Sequence, residues 1–144
     1  MSTSFLQMAR PQRFLFIIFT ATCFQCHGES PGHPRVGPNL GILEDRSPDT
    51  LLINILDPNR DVKPIYVGYT VVTNDGQDYS GVIASETASS VTIRNPAGEA
   101  TLLRKNIKSL ASSGQSLMPD GLEAGINERQ MADLIAFLQT YREK

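Results

Sequence analysis

The chain has 144 residues, 40% of them hydrophobic and 19% charged, with no Trp and a net charge of −2. That length suits one domain, or one domain with an insertion, and that composition suits a soluble globular protein. The charge gives no electrostatic basis for binding nucleic acid or an anionic membrane surface.

Arg10 and Arg13 precede the apolar run Phe14-Leu15-Phe16-Ile17-Ile18-Phe19. The pattern allows three readings: a partial export signal, the first helix of the fold, or the boundary of a fragment of a longer protein. The run is too short for a stable membrane span. Residues 1–13 are therefore expected to be an N-terminal extension or partial signal segment, with the domain over 14–144. A short apolar helix is expected over 11–23. The segment 28–46 is rich in Gly and Pro and reads as a loop. Ser47-Pro48 opens a second helix, with Ser as cap and Pro at the first helical position; Leu51, Leu52, Ile55 and Leu56 mark its buried face and Pro58 stops it.

From about 65 to 109 the pattern changes to β. The run 65–72 is followed by Asn74-Asp75-Gly76, a hairpin signal. Residues 79–83, 90–94 and 99–104 read as further strands, the last two joined through Asn95-Pro96-Ala97-Gly98. A loop then leads to a final helix. Asn127 and Gln130 form a capping-box pattern, and Met131, Leu134, Ile135 and Leu138 repeat at helical spacing.

The only two cysteines lie in Cys23-Phe24-Gln25-Cys26-His27, the C-x-x-C-H pattern of haem attachment. Two thiols at this spacing reach the two vinyl groups on one porphyrin edge. The histidine that follows presents a neutral imidazole to the iron. Three other readings stay open. Cys23, Cys26, His27 and His33 could bind zinc in an interaction domain, although structural zinc sites usually draw ligands from two separated pairs. The cysteines could be a thioredoxin-like redox pair, but the βαβ context is missing. They could also be a plain disulfide or two buried thiols. Two further segments favour haem. Gly37-Pro38-Asn39-Leu40 offers a proline carbonyl to hold the other imidazole nitrogen. Ser116-Leu117-Met118-Pro119 offers a thioether as the sixth ligand. His33 is the alternative there, and Met131 fits a core role better.

Together these features resemble the class I cytochrome c pattern. The segments 55–59, 66–69, 75–76, 81–83, 116–122 and 132–138 are similar to the haem-binding domain typical of Planctomycetes and Verrucomicrobia, over roughly residues 14–141. That resemblance implies a mainly α cytochrome c fold with a small antiparallel β insertion between the second helix and the distal Met loop. It implies haem c bound through Cys23, Cys26, His27 and Met118, with Pro38 supporting His27. It also implies an exported location, periplasmic or otherwise extracytoplasmic, and a redox partner such as an exported dehydrogenase. One position departs from the cytochrome pattern. Leu15 stands where a small Gly usually lets the first helix cross the last, whereas the aromatic four residues before the first Cys is present as Phe19.

The expected function is electron relay by a carrier that is not itself an enzyme. The alternative within haem chemistry is a sensor or peroxidase-like enzyme in which Met118 leaves the iron.

Overall fold

The computed structural model describes residues 10–142, and residues 1–9 of the expected N-terminal extension lie outside them. The first helical stretch is longer than the 11–23 expected and has three parts. These are α1 (Arg10–Ile18), a π-helical turn (Phe19–Cys23) and α2 (Phe24–His27). Thr20 explains the wide turn: its hydroxyl donates to the Phe16 carbonyl at 2.7 Å and competes with the regular ladder. Helix α3 (Pro48–Leu56) starts where Ser47-Pro48 predicts. Asp45 reinforces that start by accepting from the Ser47 N–H and the Thr50 hydroxyl, which hold its carboxyl below the usual range. Helix α4 (Glu128–Thr140) has the full capping box, with Asn127 and Gln130 each accepting from the other's backbone N–H. No helix among the described residues is long and apolar enough to cross a membrane.

The expectation of a mainly α cytochrome c fold is overturned. The dominant element is a five-stranded antiparallel sheet, and the helices around it are short. Its strands are β1 (Val67–Thr73), β2 (Asp78–Glu86), β3 (Ser90–Asn95), β4 (Gly98–Leu103) and β5 (Ile107–Ser116), in the order β4-β3-β2-β1-β5. Strand β5 lies in a stretch expected to be mostly loop. It pairs along β1 from Thr73↔Ile107 to Val67↔Ser116, so the sheet reaches Ser116 rather than stopping near 109. Strand β2 serves two partners. Its first residues pair with β1 up to Tyr69↔Gly81, and the rest pair with β3 from Val82↔Arg94. Gly81 sits at this switch, where a Cβ would lie 2.1 Å from the Arg94 carbonyl oxygen; only glycine permits that approach.

Two apolar clusters result. Val71, Val91 and Ile93 form the centre of the sheet's core. Phe19, Leu51 and the four α4 residues Met131, Leu134, Ile135 and Leu138 form the helical one. Phe19 is its aromatic hinge, with ring centroids 5.1 Å from Phe137 and 4.9 Å from Tyr141. Leu15, at the position where glycine is usual, is accommodated as a half-buried residue against this cluster.

Arg46 joins the early loop to the end of the chain. Its guanidinium donates to the carbonyls of Leu138, Tyr141 and Leu40 at 2.8–3.0 Å. Two of these carbonyls lie at the C-terminus of α4, where a cation also meets the negative end of the helix dipole.

Candidate haem-attachment site

The C-x-x-C-H segment occupies the end of the first helical stretch. Cys23 closes the π turn, while Cys26 and His27 lie in α2. Both thiols are unbonded and half-buried, so the disulfide reading is not what the structure contains. Burial pushes the Cys23 thiol up, partly offset by a backbone hydrogen bond and reinforced slightly by Cys26. Burial alone pushes Cys26 up. Neither thiol is in the electropositive setting that lowers the pKa of a redox-active cysteine.

The chain turns back on itself immediately after His27. The Cys26 carbonyl accepts from both Val36 N–H and Gly37 N–H, at 2.9 and 2.8 Å. This double acceptor lays residues 36–38 across the imidazole. His27 Nδ1 lies 2.7 Å from the Pro38 carbonyl oxygen. A carbonyl can only accept, so Nδ1 carries the hydrogen and Nε2 keeps its lone pair. Desolvation holds the His27 pKa below its ordinary value, opposed by the Pro38 bond and helped by the nearby Arg35 cation. The ring is thus neutral near pH 7, oriented, and free to donate through Nε2.

Gly37 explains how the loop approaches so closely. A Cβ there would lie 2.9 Å from Cε1 and 3.0 Å from Nδ1 of His27. The ring cannot retreat without giving up Pro38. Gly37→Ala is therefore expected to cut the yield of haem-loaded protein severalfold, because losing an outer-shell partner of a ligating histidine costs roughly 10–100-fold in metal affinity. Absorbance per mole of purified polypeptide measures this. Gly125→Ala, at a position where a Cβ meets nothing within 4 Å, should leave the yield unchanged.

His33 does not join the other three proposed zinc ligands. It is exposed, and its Nδ1 lies 3.3 Å from the carbonyl of Pro96 in the β3–β4 turn. Among the described residues no group of three His, Cys, Asp or Glu side chains is arranged to hold a metal ion. The same turn reaches the attachment loop a second time. Arg94 donates to the Arg35 carbonyl at 3.2 Å while paired with Glu99, and Arg35 in turn donates to the His27 carbonyl at 3.1 Å. The sheet therefore braces the attachment loop, a contact with no visible sequence signal.

Met118 lies two residues beyond β5, half-buried, with its N–H donated to the Ser116 hydroxyl at 3.1 Å. Asn59, just after α3, accepts from the Ser116 N–H at 2.8 Å and donates to the Asp120 carboxylate. Met131 is buried in the helical core, as its place on the α4 face predicts. Two surface depressions are formed by the described residues near these segments. One is between the 29–34 loop and Glu99, and the other is an apolar groove between α3 and α4.

No known protein-family model matches the chain, and no curated protein is significantly similar to it. The residues themselves carry the chemical argument. Two free thiols three positions apart, an imidazole whose Nδ1 is held by Pro38, and a thioether in a braced loop are donor types that can serve haem iron and its attachment.

Proposed function

We propose that the chain binds haem c through Cys23 and Cys26, ligates its iron with His27 and Met118, and relays electrons from an exported dehydrogenase to a downstream acceptor. The observation that carries this reading is the 2.7 Å contact between His27 Nδ1 and Pro38 O. It fixes the tautomer and ring plane that an iron-binding histidine would need, one residue after the second thiol. The likeness to the Planctomycete and Verrucomicrobium haem-binding domain supports the same assignment through the residues around Met118.

When bound, the haem would supply one-electron exchange between Fe(II) and Fe(III). The polypeptide contributes the rest. Cys23 and Cys26 would hold the haem covalently. Pro38 keeps the proton on Nδ1 of His27, leaving Nε2 as the donor atom. Gly37 lets the backbone cover the ring and limit water there. Met118 offers a soft sulfur that favours the reduced state. On this reading the chain works in the periplasm or another extracytoplasmic compartment. Redox encounters of small carriers are brief and bury little area, and a net charge of −2 gives weak long-range steering.

Rapid mixing of the oxidised holoprotein with a reduced dehydrogenase from the same organism tests the relay. Fast haem reduction whose rate saturates with dehydrogenase concentration is expected. Absence of reduction, together with rapid binding of peroxide or a diatomic gas at the iron, would replace the relay with the sensor or peroxidase reading.

A further inference from the structure

We propose that Asn59 is a positioning residue that clamps the Met118 loop shut and so protects the sixth ligand from exchange, an inference that rests on reading Met118 as that ligand. Asn59 lies far from Met118 in sequence, in the turn that follows α3. Its one side chain nevertheless grips the loop on both sides. Oδ1 accepts from the Ser116 N–H at 2.8 Å, and Nδ2 donates to the two Asp120 oxygens at 3.1 and 3.3 Å. The partners fix the amide orientation, because a backbone N–H only donates and a carboxylate only accepts. Ser116 and Asp120 stand two residues before and two residues after Met118. Within this bracket the Ser116 hydroxyl accepts from the Met118 N–H. Ser116 is also the last β5 residue to pair with β1, at Val67. The loop is thus tied to the sheet at its start and across its mouth by a single amide.

A ligand on a loop competes with external ligands through the loop's opening equilibrium. An external base reaches the iron only when the thioether leaves, so whatever stabilises the closed loop lowers the apparent affinity of the competitor. Removing Asn59 breaks both arms of the clamp and leaves the His27 side untouched.

The test is titration of the oxidised holoprotein with imidazole, read alongside the weak far-red band of Met–iron ligation. Asn59→Ala is expected to keep its full covalent haem content and to bind imidazole about tenfold more tightly, equivalent to about 1.4 kcal/mol. Its far-red band should weaken and its potential should fall. Asn59→Asp keeps the acceptor for Ser116 but sets two carboxylates against each other, and it should shift in the same direction. It is nearly isosteric and keeps the proposal testable if the alanine variant does not fold. Adding Asp120→Asn to Asn59→Asp exchanges donor and acceptor and should return the imidazole affinity to within about twofold of the parent, as coupling between contacting partners requires. Unchanged affinity in Asn59→Ala, or no recovery in the paired variant, overturns the clamp. If Met118→Ala abolishes the far-red band in the same series, Met118 ligation survives that result. A band that persists in Met118→Ala removes the ligand assignment and the clamp with it.

Discussion

Cys23→Ser combined with Cys26→Ser should abolish covalent attachment, and each single replacement should leave one thioether or none. The effect is all-or-none because the bond joins a specific sulfur to a specific vinyl carbon. The two thiols sit in a wide helical turn and the short helix after it, with two residues between them in the sequence. The double variant has no thiol to add to a vinyl group, since these are the only cysteines in the chain. His27 and Pro38 remain in place in all three variants, so any haem retained by the double variant would be held by ligation alone. Such haem should be fully extracted by acidified organic solvent, while the parent protein should keep its haem on a denaturing gel.

Met118→His should remove the far-red band of the oxidised protein and lower the reduction potential by a few hundred millivolts, within the ~0.8 V span that axial ligands command. Imidazole donates more strongly than a thioether and favours the ferric state. Met118→Ala should also lose the band, and it should open the iron to exogenous ligands. An unchanged oxidised spectrum in Met118→Ala contradicts the assignment of the sixth ligand. Potentiometric titration of the three proteins under one set of conditions measures the shift.

The local signals in the sequence were strong where one residue type has one use. Ser47-Pro48 and the Asn127/Gln130 pair lie at the helix starts they predict, because caps satisfy backbone groups that nothing else nearby can reach. Asn74-Asp75-Gly76 turns β1 into β2. The contact between His27 and Pro38 was foreseeable from spacing, since eleven residues of Gly- and Pro-rich loop can return to the ring.

The balance of the fold was not legible. The C-x-x-C-H segment and the apolar α4 repeat draw attention to helices, and β5 gives little counterweight. From Ala111 to Ser116 it is small and polar, and much of it is exposed at the sheet edge. Such a strand is specified by pairing with β1 rather than by alternating hydrophobicity, so a pattern search sees a loop. Long-range polar contacts were hidden for a related reason. Asn59 with Ser116, Arg94 with Arg35 and His33 with Pro96 join residues 57 to 63 positions apart. No local periodicity marks an asparagine or arginine whose partner is a distant backbone group.

Covalent haem on Cys23 and Cys26 is read out by the intact mass of the chain. The protein should be produced in an exported form together with a c-type cytochrome assembly system, then denatured and extracted with acidified organic solvent before weighing. The expected mass is that of the polypeptide plus one haem, with a c-type pyridine haemochrome spectrum and no titratable thiol. The bare polypeptide mass with two titratable thiols, recovered from cells that mature a control c-type cytochrome, would contradict it.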